Sequence, residues 1–87
     1  MATPVPDRQY IWEAIDAERL YQNKKALENG WKENKSVGEW LLIMEAELAE
    51  AKHSWIKSGK IEALEEVLQV VSVGVACLEC CGVVERA

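Results

Sequence analysis

Apolar and polar residues mix along this chain in three long runs separated by short polar breaks, and no stretch shows strand-like alternation of useful length. The first run predicts a helix from about Asp7 to Glu28. Ile11, Ala14, Ile15, Leu20, Tyr21 and Leu27 give it a partial apolar face. Asn29-Gly30 is its stop signal, because glycine readily takes the left-handed conformation that ends helices. Trp31 to Lys35 reads as a polar loop with one aromatic. Ser36-Val37-Gly38-Glu39 has the form of a capping box and starts a second helix, which runs to about Lys57 and ends at Ser58-Gly59. A third helix begins at Lys60 or Ile61 and continues to about Val83. Residues 1–6 hold two prolines and no periodicity, and read as a disordered or extended lead. The expected fold is all-α, with one helical domain over 7–87.

Helical phase at about 100° per residue sharpens this reading. In the second helix, Leu41, Met44, Leu48, Ala51 and Trp55 form one stripe, extended on one side by Trp40 and Ile43. Glu47 falls between Trp40 and Ile43, inside the apolar arc, and Glu50 lies at its margin. Glu39, Glu45 and Lys52 point elsewhere. The third helix is apolar nearly all the way round from Val67 to Leu78, as in helices buried on every side. Two partner helices in one short chain can hardly cover it. The simplest remedy is a subunit interface: a three-helix bundle completed by homo-oligomerisation, as a homodimer or a dimer-of-dimers tetramer. Glu66 and Gln69 share a side with Val73, Cys77 and Cys80, so they too are expected to face buried surface.

Composition narrows the function. With 87 residues the chain makes one domain with a small core. The net charge of −5 argues against nucleic-acid binding through a basic surface. It suits a phosphorylated small ligand only if a cation mediates. The start of the chain lacks the basic and apolar regions of a signal peptide, and Val67 to Leu78 is too short to span a membrane. Cys77, Cys80 and Cys81 crowd one helical segment and fit a reduced, cytoplasmic protein better than a disulfide scaffold.

Two short patterns carry the chemistry: Glu47-Leu48-Ala49-Glu50 and Glu66-Val67-Leu68-Gln69. Residues three apart share a helix face. Acidic side chains within apolar helical sequence are costly unless something pairs with them. If the second and third helices are antiparallel across Ser58-Gly59, the two pairs face each other, and inward carboxylates on facing helices are one way to build a metal site. Mg²⁺ suits such oxygen donors, and Mn²⁺ can replace it. Partial exposure at a bundle edge, or pairing with lysines, is the simpler explanation.

These patterns resemble those of the MazG-like, all-α nucleoside triphosphate pyrophosphohydrolases. That family's signature is an E-x-x-E pair, a gap, and an E-x-x-D pair on the next helix, and Glu47-x-x-Glu50 and Glu66-x-x-Gln69 take those places. Glu45-Ala46-Glu47-Leu48-Ala49-Glu50-Ala51 resembles the usual E-E-x-G-E-x-x segment. Glu65-Glu66-Val67-Leu68-Gln69-Val70-Val71-Ser72-Val73 looks like the branch that writes E-L-x-Q-V-A-A-V. Glu18-Arg19-x-x-Gln22 and Trp31 resemble the first helix and loop. The likeness covers roughly Glu18 to Gly82. Ala46 stands where a first glutamate is usual, and Gln69 where an aspartate is usual. The resemblance implies Mg²⁺-dependent cleavage of a ribo- or deoxyribonucleoside triphosphate to the monophosphate and pyrophosphate, as in nucleotide-pool house-cleaning. Glu47, Glu50, Glu66 and Gln69 would hold metal, and Glu47 or Glu50 would orient the attacking water. The departures at Ala46 and Gln69 leave open a weakly active or inactive nucleotide-binding or helical interaction module.

The resemblance also makes Trp31 a stacking face for a nucleobase; the alternative is a loop tryptophan closing the core. Gln22 offers an amide to a base edge, or is a plain surface residue. Lys24, Lys25, Lys32 and Lys35 surround this region; Lys32 is the candidate phosphate contact, against the alternative of a solvated face. His53, the only histidine, reads as a surface or interface residue. The cysteines lack a second ligand cluster and read as packing residues. Trp12, Trp40 and Trp55 read as core or interface aromatics.

Overall fold

A computed structural model describes residues 7–86; the predicted lead over 1–6 lies outside the described residues. The chain forms α1 (Arg8–Asn29), α2 (Val37–Lys57) and α3 (Lys60–Cys81), with no strand among the described residues. The all-α expectation is met. The third helix ends at Cys81, two residues short of the expected Val83. Gly82 has φ 103° and leaves the helix there, its N–H donating to the Leu78 carbonyl at 2.9 Å.

Local chemistry sets the other ends. The Asp7 side chain accepts the Tyr10 N–H at 2.8 Å and caps α1. Gly30 closes α1 with φ 64°, and the Trp31 N–H reaches back to the Ala26 carbonyl at 2.9 Å. The capping box of α2 is complete: Ser36 Oγ accepts the Glu39 N–H at 3.2 Å, and Glu39 Oε1 accepts the Ser36 N–H at 3.0 Å. Hydrogen bonds from the Ser36 backbone, then its hydroxyl, hold the Glu39 carboxyl below its ordinary pKa, with Lys32 assisting. Ser58 and Gly59 alone join α2 to α3, and Gly59 takes φ 102°.

α3 is the centre of the fold. It packs against α2 over much of its length and against α1 less extensively, while α1 and α2 do not pack on each other. Buried residues are few and small: Ile15 from α1, Ala51 from α2, and Ala63, Ser72, Val73 and Ala76 from α3. Small side chains let helix backbones approach closely. At Gly74 an added Cβ would lie 3.4 Å from Met44 Cε on α2.

One packing expectation needs correction. The predicted α2 stripe is split. Ala51 is buried and Met44 reaches α3, but Leu41, Leu48 and Trp55 are exposed. Trp40, Ile43, Glu47 and Ser54, partly shielded, continue the packed face instead. As its all-round apolar sequence leads one to expect, the single chain does not cover α3: Val67 and Val71 are each 43% exposed and Leu78 is 50% exposed. Two neighbours on one side cannot cover the opposite side. Trp12 and Trp55 likewise lie outside the single-chain core. The radius of gyration, 14.0 Å, exceeds the roughly 12 Å of a compact domain of this length.

Candidate metal centre

The short turn at Ser58-Gly59 brings the two sequence patterns together. Glu47 and Glu50 on α2 and Glu66 on α3 each offer a carboxylate oxygen within 4.8 Å of the others. Glu47 and Glu66 are partly shielded by packing, and Glu50 is exposed. One oxygen of Glu47 and one of Glu66 are buried with no hydrogen-bond partner. Among the described residues, the salt bridges all lie elsewhere, so no lysine or arginine neutralises the three carboxylates. The pairing-with-lysine explanation therefore fails for this cluster.

Electrostatics follow from that crowding. Burial first, and then the charges of Glu50, Glu66 and Glu18, push the Glu47 carboxyl above its ordinary pKa. Three hard oxygen donors, two of them carrying orphaned oxygens, fit a divalent cation that prefers carboxylate ligands. Gln69, partly shielded and one turn beyond Glu66, lines the adjoining groove together with Glu47.

That groove exists because α1 and α2 both pack on α3 but not on each other. It has a volume of about 1270 Å³, and its α3 wall includes Gln69, Val73, Ala76, Glu79 and Cys80. Trp31 lines it and is 57% exposed, so this tryptophan does not close the core. Lys25, Lys32 and Lys35 line it too, whereas Lys24 pairs with Glu28 at the surface. Lys32 is 3.5 Å from Glu39, and the Lys35 ammonium sits 4.6 Å from the Trp40 ring centroid.

Gln22 is committed to a network that the sequence does not reveal. Arg19 donates to Glu79 on α3 at 2.7 Å, to Gln22 Oε1 at 2.9 Å and to Asn23 Oδ1 at 3.0 Å. Gln22 in turn donates to Glu18 at 3.3 Å. Both ends of the Gln22 amide therefore have partners, and the amide is oriented along the groove wall. This chain of contacts carries a fourth carboxylate, Glu18, into the field of Glu47. Nothing in the spacing of α1 gives its rotation against α3, which is why the Arg19–Glu79 contact and the approach of Glu18 to Glu47 are not legible in the sequence. Cys80 is also corrected: it was expected to face buried surface, but it lies exposed in the last turn of α3.

No helix among the described residues is long and apolar enough to cross a membrane. Compared with protein-family models, curated proteins and solved structures, the chain matches none.

Proposed function

We propose that this protein is a Mg²⁺-dependent nucleotide pyrophosphohydrolase, cleaving nucleoside triphosphates to monophosphate and pyrophosphate. The observation that carries the reading is the convergence of the Glu47, Glu50 and Glu66 carboxylates within 4.8 Å, without a neutralising cation from the protein. A cluster of like charges on facing helices is destabilising when empty, and a divalent cation relieves it. The adjoining groove, about 1270 Å³ in volume, presents aromatic and basic groups, Trp31, Lys25, Lys32 and Lys35, of the kind a nucleotide needs.

When bound, Mg²⁺ supplies charge neutralisation at phosphate oxygens and lowers the pKa of water it holds. The chain's own residues do the rest. Glu47 and Glu50 orient the attacking water at the α-phosphorus and take its proton. The bond to the bridging oxygen breaks, and that oxygen leaves with pyrophosphate. Glu66 and Gln69 complete the ligand set from α3. Trp31 offers a face to the base, and Lys32 a charge to the phosphates.

The exposed apolar residues Leu64, Val67, Val71 and Leu78 lie along one side of α3 and support homo-oligomerisation, as a dimer or a paired dimer. Free thiols and the acidic balance fit a reduced, cytoplasmic setting without nucleic-acid partners.

The test is pyrophosphate release from a panel of ribo- and deoxyribonucleoside triphosphates, with Mg²⁺, with Mn²⁺ and with EDTA. Metal-dependent release that falls by roughly tenfold or more in Glu50→Gln, with an unchanged helical spectrum, is expected. Glu50 is exposed, so its loss leaves the core intact. No release from any nucleotide, or release insensitive to EDTA, overturns the enzyme reading. Metal and nucleotide binding without release would instead assign a binding module, the reading that Ala46 and Gln69 favour.

A further inference from the structure

α2 and α3 share a spacing that their mutual packing leaves half used. Leu41, Met44, Leu48, Ala51 and Trp55 on α2 follow one another at alternating steps of three and four residues, and so do Leu64, Val67, Val71, Gly74 and Leu78 on α3. That is the heptad spacing of helices that meet in bundles. The seam between the two helices runs past Met44, whose Cε lies 3.4 Å from where a Cβ on Gly74 would stand.

Rotation about each helix, at about 100° per residue, sorts the other positions onto two sides of that seam. On α2, Trp40, Ile43 and Glu47 fall on one side of Met44 and line the groove. Val37, Leu41, Leu48 and Trp55 fall within about 60° on the other side, and all four are exposed. On α3, Gln69, Val73 and Cys80 fall on the groove side of Gly74. Leu64, Val67, Val71 and Leu78 fall within about 80° on the other side, and all four are exposed. Because the hairpin is antiparallel, the two exposed arcs share one face of it, the back, opposite the groove. The split of the α2 stripe thus has a physical meaning: its exposed half continues the exposed face of α3.

We propose that a second copy of this chain docks on this back face, hairpin against hairpin, to complete a four-helix bundle whose two grooves face outward. This rests on the homo-oligomer reading above and names its surface. A four-helix bundle needs two further helices with the same apolar spacing, and a second hairpin brings both. Helices of 21 and 22 residues lying side by side present a face of roughly 30 by 20 Å, about 600 Å² before side-chain relief is counted. That approaches the ~800 Å² that each partner gives to a standard interface. No carboxylate falls in either arc, although the chain carries a net charge of −5. Two acidic chains meet with least repulsion over such a face. Glu47 and Glu66 lie across the seam from it, so each copy keeps its own carboxylate cluster and groove.

The experiment uses the full chain in EDTA, so that metal and hydrolysis play no part. Hydroxyl-radical footprinting compares two tryptophans that the single chain exposes almost equally, Trp55 at 62% and Trp31 at 57%. In the assembled protein Trp55 should oxidise at least about fivefold more slowly than Trp31, because interface cores exclude water. Leu48→Glu should sediment as a monomer. Ile56→Glu, at a position 82% exposed and off this face, should sediment as wild type does. A wild type that sediments as a monomer removes the homo-oligomer reading itself. An assembled wild type in which Trp55 reacts as fast as Trp31 overturns the back face alone, as does loss of assembly in Ile56→Glu or its survival in a folded Leu48→Glu. If Leu48→Glu does not fold, the footprint on wild type still decides.

Discussion

Glu47 on α2 and Glu66 on α3 face each other across the helical hairpin with carboxylate oxygens within 4.8 Å, and each keeps one oxygen buried and unpartnered. Two carboxylates in that relationship repel when both are ionised. The fold tolerates them because Glu50 leaves one side open to solvent and because the turn at Ser58-Gly59 fixes the helices together. Metal-free protein should therefore carry measurable electrostatic strain at this point.

Glu47→Gln tests that strain directly. Because burial and neighbouring charges raise the native pKa of Glu47, the folded state holds its proton more tightly than the unfolded state. Stability from this group is full below the ordinary carboxylate range and is lost as pH rises through the raised native value. In EDTA near neutral pH, Glu47→Gln should melt higher than wild type by about 3 °C, a modest figure because the side chain is only partly buried. The gap should close as pH falls toward the ordinary glutamate range. With Mg²⁺ the order should reverse, since only wild type gains metal. A lower melting temperature for the variant in EDTA at every pH would show that Glu47 is satisfied as it stands. Scanning calorimetry with and without metal reads both arms.

The start of α2 rests on one reciprocal pair. Ser36→Ala removes the acceptor for the Glu39 N–H and loosens the contact that keeps Glu39 ionised. The expected cost is about 1 kcal/mol, or a drop of roughly 4–8 °C in Tm for a domain of this size. The lowered pKa of Glu39 means that this pair contributes above the ordinary carboxylate range and fails as pH falls through the depressed native value. The gap between wild type and Ser36→Ala should narrow under strongly acidic conditions without closing, because Ser36 Oγ accepts the Glu39 N–H at any pH. A constant gap down to the lowest usable pH would remove Glu39 from the account.

What could be read from the sequence, and what could not, divides by range. Asn29-Gly30, Ser36 to Glu39 and Ser58-Gly59 act on their immediate neighbours, so the helix ends were legible, and with them the hairpin that brings Glu47 and Glu66 together. Helical phase also put Glu47 inside the packed arc. Phase did not say which half of the broad α2 apolar face is packed: Ala51 is buried and Met44 reaches α3, while Leu41, Leu48 and Trp55 are exposed. Angular position within one helix carries no information about where a second helix lies. The Arg19–Glu79 contact between α1 and α3, and the exposure of Cys80, were illegible for the same reason.

Assembly supplies another test. Val67, Val71 and Leu78 are too exposed for α3 residues of a finished core, and Leu64 adjoins them on the same face. Sedimentation equilibrium at micromolar concentration should give a dimer or tetramer. Val71→Glu places a charge in the middle of this face and away from the carboxylate cluster. It should shift the protein to monomer and lower Tm in a concentration-dependent manner. A wild type that sediments as a stable monomer contradicts the assembly proposal and leaves the carboxylate cluster untouched as a separate question.

The final prediction concerns Gln69, the neutral member of the proposed ligand set. Gln69 lines the groove with Glu47 and follows Glu66 by one turn, so a carboxylate there would join the same cluster. A neutral amide oxygen can ligate Mg²⁺ but brings no charge, and Mg²⁺ favours anionic oxygen. Gln69→Asp should therefore tighten Mg²⁺ binding by roughly tenfold and leave turnover equal or higher. The same substitution adds a further like charge beside Glu47 and Glu66. In EDTA it should lower Tm, and that loss should be recovered when Mg²⁺ is added. The two halves belong together, because the charge that repels its neighbours in the empty site is the charge that draws the cation. Mg²⁺ titration by calorimetry, with melting curves at each end of the titration, reads both. Destabilisation that metal does not reverse, with no gain in affinity, would make Gln69 a packing residue that hydrogen-bonds its surroundings and would remove it from the ligand set.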